Sequence, residues 1–137
     1  MSVPMLIWAA AAMYLMTALR SAIGPAESNR NAQDHVKWQT VIACAVAIIC
    51  HASSTLPAVF TGEGINLGVF FASSLVALCI AVILLLVLLV RPLGSLAVAI
   101  FPLVAISVLL PWLFPSSRIL ADHVSIAVQV HIALSII

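Results

Sequence analysis

"NLGVFFASSLVALCIAVILLLVLLV", Asn66–Val90, runs for 25 residues without one charged side chain. A helix rises about 1.5 Å per residue and a bilayer core is about 30 Å thick, so roughly 20 apolar residues suffice to cross it. This stretch therefore reads as a transmembrane helix. Three others meet the same test: Val3–Ile23, Trp38–Phe60 and Leu93–Phe114. A fifth begins near Ser125 and reaches Ile137 too soon to cross, so the expectation is the N-terminal part of a longer protein. Of the 137 residues 65% are hydrophobic and 7% charged, and the mean hydropathy is +1.31, far outside the range of soluble domains. The fold class predicted is all-α: a polytopic membrane helix bundle with four spans and an incomplete fifth, forming a single transmembrane domain over 1–137.

The connections "GPAESNRNAQDHVK" (24–37), "TGEGI" (61–65), "RP" (91–92) and "PSSRILADHV" (115–124) hold the turn-forming and charged residues that the spans lack. Arg20, Arg30, Lys37 and Arg91 belong to the first and third, and Arg118 alone to the others, so the positive-inside rule places the N-terminus outward. The N-terminus has no basic region of the kind that opens a signal peptide, and its apolar run reads as a permanent span. A net charge of +1 leaves no basic face for nucleic acid. Cys44, Cys50 and Cys79 form no C-x-x-C pair and read as packing residues. Trp8, Trp38 and Trp112 near helix ends read as interface anchors. Pro57, Pro102 and Pro111 read either as kinks that open a cavity or as prolines tolerated without one. The small-residue runs "AAAA" and "ASS" read as marks of close helix packing.

Against this background "AIICHASSTL", Ala47–Leu56, places an ionisable side chain inside a span. His51 lies nine residues from Phe60, a depth of about 13 Å. His131, in "VQVHIALSI" (128–136), lies at a depth of roughly 9 Å, counted from a helix start near Ser125. Two imidazoles in the same half of the membrane, on different helices, can face one apolar cavity. Carboxylate and thiolate partners are missing at that depth, which disfavours a bare metal ion; haem needs only one or two axial nitrogens and an apolar slot. Intramembrane ionisable residues default to function. The alternative is packing, each histidine hydrogen-bonding a nearby group such as Ser53, Ser54, Thr55 or Gln129. His35 and His123, beside Asp34 and Asp122, read as loop residues. No catalytic triad, paired carboxylates or phosphate loop can be assembled, so an enzyme is not expected.

"VIACAVAIICHASSTL" (41–56), "INLGVFFASSLVALCIAVILLL" (65–86) and "VQVHIALSI" resemble, in order and spacing, the N-terminal half of the YpjD-type inner-membrane proteins. These belong to the cytochrome c assembly family that includes the CcsA and CcmC haem-handling proteins. The resemblance covers nearly the whole chain. It implies a bundle of about eight helices in the complete protein and a non-covalent haem b. His51 and His131 would be ligands to the haem iron, other cytochrome c assembly proteins would be partners, and the site of action would be the bacterial inner membrane. The Trp-rich haem signature of the better-studied members would fall beyond Ile137, so haem binding or passage is implied rather than transfer. Two other functions remain open on the residues: a membrane-anchor electron-transfer subunit with a bis-histidine b-type haem, and a transporter using His51 as a protonatable group.

Overall fold

The computed structural model describes residues 2–23, 30–62, 64–66, 68–90, 94–115 and 119–121, together with 127, 128, 130 and 131. Four helices dominate: α1 (Val3–Ile23), α2 (Arg30–Val59), α3 (Val69–Val90) and α4 (Gly94–Leu113). Each is long and apolar enough to cross a bilayer, as the sequence predicted. α1 packs on α2, α2 on α3, α3 on α4, and α4 back on α1, which closes a four-helix ring. The chain is thus a multi-pass helical membrane protein. The segment after Ser125 lies mostly outside the described residues, which give it helical backbone at 127, 128, 130 and 131.

The helix ends follow local chemistry. The Ser2 carbonyl accepts the first helical amide bonds of α1, from Met5 (3.0 Å) and Leu6 (3.4 Å), and Pro4 sits in the first turn where its missing N–H costs nothing. α2 starts earlier than its hydrophobic pattern, at Arg30, and its 30 residues extend about 45 Å, well beyond the hydrocarbon. The Gly68 amide donates to Asn66 Oδ1 (3.1 Å), an Asx turn that leads the chain into α3, and the Gly68 carbonyl accepts from Ala72 (2.9 Å). All three prolines are accommodated inside α2 and α4.

One feature was not predicted. β1 (Phe60–Thr61), β2 (Gly64–Asn66) and β3 (Ile119–Ala121) form an antiparallel three-stranded sheet in the order β1-β2-β3. Gly64 opens β2 opposite Thr61 with a φ of 131°, which belongs to glycine, and Thr61 Oγ1 donates to the Gly64 carbonyl (2.7 Å). β3 then pairs with β2, Ile65 opposite Leu120. The sheet marks one end of the bundle. Basic residues mark the other: Arg20 donates to Gln39 Oε1 (2.9 Å), and Lys37 Nζ donates to the Leu89 carbonyl (3.0 Å) in the last turn of α3, where carbonyls lack helical partners.

Packing confirms which side faces lipid. Small residues, among them Ala10, Ala11, Ala47, Ala77, Ala81 and Ala97, are buried between the helices and let their backbones approach. Large apolar side chains such as Met5, Ile42, Ile49, Ile83 and Leu103 point outward. The polar side chains Thr17, His51, Ser54, Thr55 and Ser74 are inside. In water this distribution would be unstable; in hydrocarbon it is the favourable one. Trp8 and Trp112, both exposed near the sheet end, meet edge to face with ring centroids 5.9 Å apart.

Candidate functional site

Buried positions on α2 recur every three or four residues, Thr40, Cys44, Ala47, His51 and Thr55, so one stripe faces the ring interior. His51 sits in that stripe with no solvent exposure. Across from it α1 presents Tyr14 and α3 presents Ser74, each also fully buried. Tyr14 Oη lies 3.3 Å from His51 Nδ1, and His51 Nε2 lies 3.0 Å from Ser74 Oγ. Ser74 Oγ is in turn 3.3 Å from Thr55 Oγ1, one turn beyond His51 on α2. The Tyr14 ring stands nearly perpendicular to the imidazole, at 82°, and stacks on Phe101 of α4 with centroids 5.7 Å apart. Three helices therefore meet at His51, and α4 joins the cluster through Phe101 on Tyr14.

These contacts differ from those of the neighbouring hydroxyls. Thr17, Ser53 and Ser73 donate to carbonyls of their own helix, Met13, Ile49 and Phe70, which satisfies each hydroxyl locally and joins nothing. Ser54 donates to the His51 carbonyl (2.9 Å). Ser74 and Thr55 instead spend their hydroxyls between helices. The run "ASS" at 72–74 thus marks more than close packing, since its second serine holds the buried imidazole. Tyr14 was missed as well. A signal for it existed: it is the sole tyrosine of the chain, placed in mid-span, where a phenol needs a partner that an interfacial tyrosine finds in water.

His131 is helical and exposed. Neither the cavity nor the groove described next is lined by either histidine. His35 lies in the polar first turns of α2 with its side chain outside the described residues, as are His123 and Gln129. Among the described residues no three His, Cys, Asp or Glu side chains group to hold a metal ion.

Two spaces adjoin the site. A cavity of about 150 Å³ at the sheet end is lined by Ser54 and Thr55 and by apolar side chains from all four helices. An apolar groove of about 670 Å³ runs between α3 and α4, from Val69 to Ile80 and from Ile100 to Ser107. The groove lies within the roughly 300–1,000 Å³ typical of ligand pockets, and the cavity falls below it. Around His51 the packing does not fit a haem: the ring is enclosed, and both nitrogens are held by Tyr14 and Ser74.

Compared with models of known protein families, with curated proteins and with solved structures, the chain has no match.

Proposed function

We propose that this chain is the membrane-embedded part of a haem-handling protein of the cytochrome c biogenesis type, in the bacterial inner membrane with its N-terminus and sheet end outward. One observation carries the reading. The pairing of β3 with β2 ties Ile119–Ala121, ten residues before His131 in sequence, to the connection that joins the His51 helix to α3. Haem recognition needs an iron-binding nitrogen and an apolar wall, and the chain offers an exposed His131 and, separately, a groove of ligand-pocket size between α3 and α4. The haem would supply an iron that an imidazole can hold. His131 would hold the iron, and His51 would hold α1, α2 and α3 in register. Partners in haem delivery would be other assembly proteins of the same membrane.

A second reading is favoured by the enclosed His51. A buried imidazole wired to hydroxyls on three helices also suits a transporter that protonates it. An absorption spectrum of the full chain purified from haem-supplied cells separates the two. A Soret band is expected, and His131→Ala should remove most of it at an unchanged protein level. Free imidazole should restore it, and His35→Ala should leave it intact. A protein without a Soret band, or one whose band is indifferent to His131→Ala, overturns the haem reading.

A further inference from the structure

A neutral imidazole donates from one nitrogen and accepts at the other, so the chain of contacts through His51 has two possible polarities. With the proton on Nδ1, that nitrogen donates to Tyr14, Ser74 donates to Nε2 and Thr55 donates to Ser74. The proton left over is then the phenolic one. Tyr14 is fully buried between His51 and Phe101, and its hydroxyl has no other hydrogen bond among the described residues. With the proton on Nε2, the order reverses: Tyr14 donates to Nδ1, Nε2 donates to Ser74, and Ser74 donates to Thr55. The proton left over now belongs to Thr55.

Thr55 is where a leftover proton is tolerated. With Ser54 it lines the cavity at the sheet end, whose other walls include Val3, Phe71, Val108 and Trp112. About 150 Å³ is room for several waters, and a buried water needs two or more polar partners. The Thr55 hydroxyl supplies a donor. Ser54 Oγ, whose own proton goes to the His51 carbonyl, keeps lone pairs to accept with.

We propose that this cavity is a water-binding site and that its water terminates a one-way hydrogen-bonded chain, Tyr14 to His51 to Ser74 to Thr55, which fixes His51 as the Nε2-protonated tautomer. The chain is open at one end only. Beyond Tyr14 it meets the Phe101 ring, so among the described residues the chain continues only toward the cavity at the sheet end. This inference is independent of whether the protein holds haem.

The test uses the full chain, ¹⁵N-histidine-labelled, in lipid nanodiscs, with the His51 signals identified by their loss in His51→Leu. Nε2 should resonate as the protonated, pyrrole-type nitrogen and Nδ1 as the accepting, pyridine-type one. Exchange of the Nε2 proton with D₂O should slow by about tenfold or more when Ala58→Leu fills the cavity, because local opening then becomes the remaining route. The smaller Ala58→Val serves if the leucine variant does not fold, with the same direction expected. A proton found on Nδ1 overturns the proposal, as does an exchange rate that neither substitution changes.

Discussion

Adjacent serines of α3 offer a controlled comparison of an interhelical hydroxyl with a local one. Ser74 is fully buried, receives His51 Nε2 at 3.0 Å and reaches Thr55 at 3.3 Å. Ser73 is half-buried and donates to Phe70, a carbonyl of its own helix. Ser74→Ala removes both interhelical bonds and leaves a buried imidazole N–H unpartnered. Interhelical hydrogen bonds in membranes average about 0.6 kcal/mol, so two contribute about 1.2 kcal/mol. An orphaned buried donor costs about 1–3 kcal/mol, so the expected loss is about 1–3 kcal/mol. Ser73→Ala deletes one bond to a carbonyl already engaged in the helix and should cost about 0.5 kcal/mol or less. Reversible unfolding in mixed micelles, driven by a rising fraction of denaturing detergent and read from tryptophan fluorescence, measures both. Equal losses for the two variants, or a larger loss for Ser73→Ala, would refute the claim that the His51 contacts bind the bundle.

Three further outcomes are expected. Gly64→Ala forces a side chain onto a φ of 131° and should cost about 1–3 kcal/mol, whereas Gly62→Ala, with nothing within 4 Å of its added Cβ, should be near neutral; hydrogen exchange of the hairpin amides distinguishes them. Ala81→Leu overpacks a fully buried contact of α3 and should destabilise by about 1–3 kcal/mol, while Ile83→Ala on the lipid face should change little in the same unfolding assay. In a version lacking Cys44, Cys50 and Cys79, cysteines placed at Gly62 and Ser117 should react with an impermeant maleimide on intact cells and one at Asn29 should not; the reverse pattern inverts the topology.

The spans were legible because the bilayer demands a length that few other structures need. Val3–Ile23 is recovered to the residue, and the third and fourth helices to within three. The polar start of α2 was not, since hydropathy marks the part of a helix inside lipid and is silent about its continuation into water. Strands of two or three residues carry no periodic signal. The burial of His51 was readable from its place in an apolar run, but its partners were not. α1 and α3 are apolar around their whole circumference, so no stripe in the sequence says that Tyr14 and Ser74 turn inward. What selects that face is size, Ala10 and Ala11 beside Tyr14, Ala77 and Ala81 beyond Ser74, and small residues are common on every side.

The three-stranded sheet also determines how the groove can be entered. Because β3 is laced to β2, the end of α4 is held near the start of α3, while residues 91–93 join the same two helices at the opposite end. The space between α3 and α4 is thus a slot fastened at both extremities. Its free side, where Ile80 and Leu103 are exposed, is the one that faces the acyl chains. A molecule entering the slot by that side would come by lateral diffusion in the bilayer, and its partition into lipid would select it before its shape did.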